Sequence, residues 1–272
     1  MSGLAELFAR TRAEGRAALI GYLPAGYPTV PGAVEALHAM VDGGVDAIEL
    51  GLPYSDPLLD GPTIQAAVEA SLASGTTTQD VLDSVRAVAE TGVPTLVMSY
   101  WNPIARYGVD RFADDLLAAG GAGTITSDVT PDSAPDWMAA TQRTGLDRVF
   151  LVAPSSTDER LAMTTEACTG FVYVSAVMGV TGARDQVGVA AEGLVARARA
   201  VTDKPLCVGL GVSTGEQAAA VARYADGVIV GSAFVQRLLD AERSNDRAAG
   251  VTAVRDLARE LARGVRAAQE VA

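Results

Sequence analysis

The stretch D-A-I-E-L-G-L-P-Y-S-D-P-L-L-D-G-P-T-I-Q, from Asp46 to Gln65, decides how the rest of the chain is read. Ala47–Leu50 is a short apolar run with no solvent-facing polar pattern, as in a strand buried on both faces. Gly51, Pro53, Pro57, Gly61 and Pro62 then interrupt any regular element. Side-chain alternation groups Glu49 with Ala47 and Gly51, opposite Ile48 and Leu50. If helices cover the outer face, Ile48 and Leu50 point toward them and Glu49 points inward among small neighbours. A carboxylate so placed is expected to hold its proton to a raised pH, which suits general acid–base work near neutrality. Asp60 closes the loop just before Gly61-Pro62, which opens a helix. Capping of that helix is one reading of Asp60. The other is a ligand-facing carboxylate, because a merely solvated loop is rarely so rich in Pro, Leu and Tyr.

Outward from this stretch, a unit of buried strand, Gly-containing loop and amphipathic helix repeats along the chain. Strands are expected at Ala17–Tyr22, Ala47–Leu50, Thr95–Ser99, Gly123–Thr126, Arg148–Val152, Phe171–Ser175, Leu206–Gly209 and Gly227–Val230. Helical periodicity fills the gaps, at Gly32–Val41, Thr63–Ala73, Gln79–Glu90, Arg111–Ala119, Ser133–Thr144, Asp158–Ala167, Ala190–Ala200 and Gly215–Ala222. Ala233–Leu239 and a long closing helix, Ala248–Gln269, follow the last strand. Eight such units predict the α/β class and a closed parallel (β/α)8 TIM barrel, with an additional amphipathic N-terminal helix. An open doubly wound sheet is the alternative. A length of 272 residues suits one such barrel, and no linker divides the chain, so residues 1–272 are read as a single domain.

Composition removes several function classes. The formal net charge of −12 argues against nucleic-acid binding. No apolar run reaches the roughly 18–20 residues of a membrane span, and the N-terminus lacks a signal peptide's apolar region. Cys168 and Cys207 have neither metal nor redox spacing, as expected of reduced thiols in a cytoplasm. The one lysine, Lys204, precedes the seventh strand, at the wrong end of a barrel for a Schiff base. The one histidine, His38, falls in a helix as a packing or surface residue. No usual transition-metal site remains.

Chemistry in such barrels sits on loops at the carboxyl ends of the strands. These loops contain L-P-A-G-Y-P after the first strand, the Glu49–Asp60 loop after the second, S-Y-W-N-P after the third and S-D-V-T-P after the fourth. Tyr100, Trp101, Asn102 and Asp128 are thereby placed at the rim. The sixth strand leads into V-S-A-V-M-G-V-T-G-A-R-D-Q-V-G, whose length and glycines at 179, 182 and 188 suggest a mobile lid. The last two strands end in G-L-G and V-G-S-A-F, where glycine lets backbone N–H groups approach an anion beside a helix N-terminus. Phosphate is the expected ligand there, with Gly211, Gly231 and Ser232 as donors and Gly182 from the lid.

The string E-L-G-L-P-Y-S-D-P-L-L-D-G-P-T-I-Q, with A-L-I-G-Y-L-P-A-G-Y-P, G-V-T-G, G-L-G-V-S and V-G-S-A-F-V, resembles the tryptophan synthase alpha chain family over nearly the whole length. The resemblance implies a lyase of tryptophan biosynthesis, cleaving indole-3-glycerol phosphate to indole and glyceraldehyde 3-phosphate by a retro-aldol route. It implies Glu49 and Asp60 as the catalytic pair. Glu49 would protonate indole C3 and assist removal of the hydroxyl proton, and Asp60 would accept the indole N–H. Tyr22, Met98, Tyr173 and Leu210 would line the indole pocket, and Thr181 would meet Asp60 when the lid shuts. A beta chain, carrying the pyridoxal phosphate that this chain lacks, would receive the indole in an α2β2 heterotetramer. Pro53–Leu59, Tyr100–Asn102 and Thr130–Pro131 would form the docking surface. Tyr27, Thr130 and Val177 depart from residues common in relatives, which bears on partner contacts and lid coupling. A phosphosugar isomerase of the same fold, a lyase that releases free indole and a non-catalytic activator of the beta chain are the competing readings. The Glu49 loop argues against the first, and retention of both carboxylates against the last.

Overall fold

Alternate residues of each strand face opposite ways, and the chain accordingly has two separate apolar cores. The computed structural model describes residues 3–175 and 184–267, without the side chains of 184–188. Eight strands, β1 (Ala18–Pro24), β2 (Ala47–Gly51), β3 (Thr95–Ser99), β4 (Gly123–Thr126), β5 (Asp147–Val152), β6 (Val172–Ser175), β7 (Leu206–Gly209) and β8 (Gly227–Val230), pair in sequence order. All the pairings are parallel, and β8 returns to β1 through Ala18↔Gly227, so the sheet is a closed barrel. Closure rules out the open doubly wound alternative.

Ile48 and Leu50 face outward into the core between sheet and helices, together with Val97, Val208 and Val230. Ala18, Ile20, Ala47, Leu96, Val149 and Ile229 fill the inside of the barrel. Helix α1 (Gly3–Ala13) sends Leu4, Leu7 and Phe8 into this inner core, and Phe8 meets Phe171 edge-on at 6.0 Å between ring centroids. The N-terminal helix is thus a stopper in the amino end of the barrel.

The outer helices are α2 (Val30–Asp42), α3 (Pro62–Ala73), α4 (Thr78–Ala89), α5 (Trp101–Tyr107), α6 (Val109–Ala118), α7 (Pro135–Thr144), α8 (Asp158–Ala167), α9 (Arg184–Arg199), α10 (Gly215–Ala222), α11 (Ser232–Arg243) and α12 (Arg247–Ala267). Threonine opens several of them: Thr29, Thr77, Thr157 and Thr214 each accept a backbone N–H of the first turn. Helix α12 packs along α2, α10 and α11.

Three local expectations need correction. Asp60 is not a helix cap: Gly61 holds that position for α3, without any side-chain capping bond. Residues 101–107 form helix α5, which carries no run long enough to show helical periodicity; Pro103 sits in its first turn, where its missing N–H costs nothing. Helix α9 begins at Arg184, so residues 184–188 are helical rather than part of the long sixth loop. Lys204 does lie at the amino end, donating to the carbonyls of Thr165 and Glu166 at 2.7 Å each. His38 packs on α4, with Nε2 3.2 Å from the Ala87 carbonyl.

Candidate active site

The inward-facing residue at the top of β2 is Glu49, fully buried. Neither of its carboxylate oxygens has a hydrogen-bond partner among the described residues. Burial without donors penalises the charged form and pushes its pKa up to about 8. Tyr22 is its register neighbour on β1. Tyr173 comes from β6. Both phenols are pushed well above their ordinary pKa, first by burial and also by the nearby carboxylates.

Two glycines exist for these rings. A Cβ on Gly51 would lie 2.4 Å from the Tyr22 hydroxyl, and one on Gly209 would lie 2.5 Å from that of Tyr173. Gly209, the first glycine of G-L-G, therefore makes room for Tyr173. Gly211 has φ +79°, and a Cβ added there would meet nothing within 4 Å, so its backbone conformation is what asks for glycine.

Asp60 reaches the same space from the end of the β2 loop and is half-buried. Burial raises its pKa, and a hydrogen bond from Tyr100 opposes part of that rise. The Tyr100 hydroxyl also accepts the backbone N–H groups of Leu58 at 3.1 Å and Leu59 at 2.9 Å. Gln65 holds the Asp60 carbonyl through Nε2 at 2.7 Å. Tyr100 itself is buried, not a surface residue of the rim.

A cavity of about 200 Å³ unites these groups. Tyr22, Glu49, Asp60, Met98, Tyr173, Leu210, Gly211, Gly231 and Ser232 all line it. Thr181 and Gly182, like Val177, lie outside the described residues. Leu59, Ile64, Leu151, Ser175, Gly209 and Ile229 complete the wall, and the sequence alone does not single them out. Leu151 and Ile229 are within reach of the same alternation that turns Glu49 inward.

No lysine or arginine is among the described lining residues. An anionic group on a ligand must therefore be met by backbone dipoles. Gly231 is the N-cap of α11, and the first N–H groups of a helix have no partner within it. A Cβ on Gly231 would come 3.1 Å from the Tyr22 ring, so the N-terminus of α11 and the aromatic end of the cavity adjoin. No group of side chains among the described residues could hold a metal ion, and no described helix is long and apolar enough to cross a membrane.

Residues 8–266 match the family model described as tryptophan synthase alpha chain. The chain belongs to the tryptophan synthase alpha chain family. It is 58% identical over 271 residues to the tryptophan synthase alpha chain of Thermobifida fusca, covering 98% of this chain and 99% of that one. A second relative, from Salinispora tropica, is 58% identical over 266 residues and covered to 98% on both sides. Among solved structures, tryptophan synthase from Mycobacterium tuberculosis superposes with a TM-score of 0.90 at 54% identity, covering 97% of this chain and 98% of that one. As a tryptophan synthase alpha chain, the protein is a lyase that cleaves indole-3-glycerol phosphate and works with a beta chain.

Proposed function

We propose that Glu49 and Asp60 perform this cleavage as a retro-aldol reaction, with no cofactor bound by this chain. At neutral pH a carboxyl group with a pKa near 8 carries its proton. Glu49 gives that proton to C3 of the indole, which makes the ring an acceptor for the electrons of the breaking bond. The carboxylate left behind, in apolar surroundings without donors, is a strong base and takes the proton of the adjacent hydroxyl. The C3–carbon bond then breaks, the aldehyde of glyceraldehyde 3-phosphate forms, indole regains its aromaticity, and Glu49 ends as it began. Asp60 accepts the indole N–H and stabilises the positive charge that protonation creates. Its surroundings favour that separate role, because it is half-buried with the Tyr100 hydroxyl favouring its ionised form, where Glu49 has no hydrogen-bond partner among the described residues.

Tyr22, Met98, Tyr173 and Leu210 hold the indole, Gly211, Gly231 and Ser232 hold the phosphate through backbone N–H groups, joined by Gly182, and Thr181 meets Asp60 when the lid shuts. The apolar side chains of Leu58 and Leu59, 76% and 57% exposed, supply the surface on which the beta chain docks. The assembly is an α2β2 heterotetramer in the cytoplasm, with pyridoxal phosphate confined to the beta chain. The observation that carries this reading is one buried, unpartnered carboxylate sharing a cavity with a second, half-buried one.

Indole release from indole-3-glycerol phosphate by the purified chain, alone and with a beta chain, tests it. The chain alone should release indole slowly, and the beta chain should accelerate it. No indole in either case would overturn the mechanism. An equal rate in both, without binding, would favour a free-standing lyase.

A further inference from the structure

A phenol oxygen has two lone pairs and a single proton. In Tyr100 the N–H groups of Leu58 and Leu59 occupy the acceptor side at 3.1 and 2.9 Å. The Asp60 carboxyl, next in the chain, lies near the same hydroxyl, which favours its ionised form. One oxygen therefore ties down two consecutive backbone N–H groups at the end of the β2 loop, directly ahead of Asp60. The ring that carries it is itself held. It is buried, packed at a 38° tilt against Tyr54 with 5.4 Å between centroids, and followed directly by α5, whose first N–H, of Trp101, is fixed by Asp128 at 2.8 Å. Asn102 steadies the Tyr54 hydroxyl in turn, at 3.3 Å.

We infer that Tyr100 is the positioning residue for Asp60: it aims the Asp60 carboxylate into the cavity and keeps it there by pinning the backbone of Leu58 and Leu59. This rests on the proposed role of Asp60 in the cleavage. Tyr100 touches neither indole nor phosphate in that scheme; it acts through Asp60. Among the described residues, the ionisable groups that face Asp60 besides Tyr100 are Glu49 from β2, Tyr22 from β1 and Tyr173 from β6, and none of these is a cation. Among them, Tyr100 is the one that favours the ionised form of Asp60.

Tyr100→Phe keeps the ring and its packing and removes only the hydroxyl, so thermal unfolding first checks that the fold is retained. In the complex with a beta chain, kcat/KM for indole-3-glycerol phosphate should fall about tenfold or more, the scale of a lost hydrogen bond to a charged group. Its acid limb should move to higher pH, because losing a donor to the ionised form raises the Asp60 pKa. In an Asp60→Asn background the same substitution should change kcat/KM less than about threefold, the sign of two residues acting as one unit. Titration of the Asp60 carboxyl by 13C NMR, in the full chain and in Tyr100→Phe, reads the same shift without any turnover. An acid limb and a carboxyl titration both unmoved by Tyr100→Phe, or effects of the two substitutions that multiply in full, would overturn the inference. Wild-type protein that releases no indole would instead defeat the mechanism, and the NMR titration would still decide the role of Tyr100.

Discussion

Asp46, just ahead of β2, and Glu49, three residues further along, are both buried acids, and the fold treats them in opposite ways. Asp46, 7% exposed, takes both guanidinium nitrogens of Arg16 at 2.7 and 2.9 Å and the Leu19 N–H at 2.9 Å. Asp226, ahead of β8, is similarly satisfied by Arg199 and the Leu206 N–H. Glu49 receives nothing among the described residues. Ahead of β2 and β8, then, a buried acid is held by an arginine and a backbone N–H; further along β2 it is a proton store. Burial alone does not decide the fate of a carboxylate. The donors placed around it do.

The largest expected effect tests Glu49. Glu49→Gln keeps size and hydrogen-bonding capacity but removes the transferable proton, so kcat should fall about 10²–10⁴-fold with KM little changed. Folded Glu49→Gln protein with near-normal kcat would erase the contrast with Asp46.

At Asp46 the readout is stability. Asp46→Ala leaves Arg16, itself 7% exposed, without its principal partner, and denaturant unfolding should report a loss of about 3–5 kcal/mol. A loss under about 1 kcal/mol would mean that Glu14, the other partner of Arg16, holds the guanidinium unaided.

A third effect sharpens the comparison through pH. Glu49 titrates near pH 8 in the folded chain and near the ordinary value of about 4.3 when unfolded. The native state therefore keeps a proton that the unfolded chain has already released. The stability that Glu49 contributes is complete below about pH 4.3 and is lost as the pH climbs to about 8. Glu49→Gln, which cannot ionise, should match the wild type at low pH and exceed it by roughly 4–5 kcal/mol at pH 8, at about 1.4 kcal/mol for each unit of the rise. A constant difference across that range would place Glu49 in more polar surroundings than the barrel provides.

Much of the frame was legible because strands buried on both faces leave continuous apolar runs, and β3, β4, β7 and β8 begin and end where those runs do. Glu49 could be turned inward from period-two alternation alone, and the string around it is long and unusual enough to carry Asp60 with it. Helix α5 was hidden because seven residues with a proline and two aromatics show no repeat. Tyr100 looked like a rim residue for a different reason. Its partners, Leu58 and Leu59, lie more than forty positions away, and nothing in a single chain of letters joins a phenol to two distant amides. Gly51 and Gly209 misled in a milder way: a glycine at a strand end reads as space for a ligand, whereas here the space belongs to a tyrosine.

Helix α1 has a consequence for molecular traffic. With Leu4, Leu7 and Phe8 wedged into the floor, the amino end of the barrel is plugged, and the cavity at Glu49 lies toward the carboxyl ends of the strands. Leu59 lines that cavity, and Leu58 beside it is exposed. A protein seated on these two leucines would sit at the mouth of the cavity, where entry and exit could be controlled together.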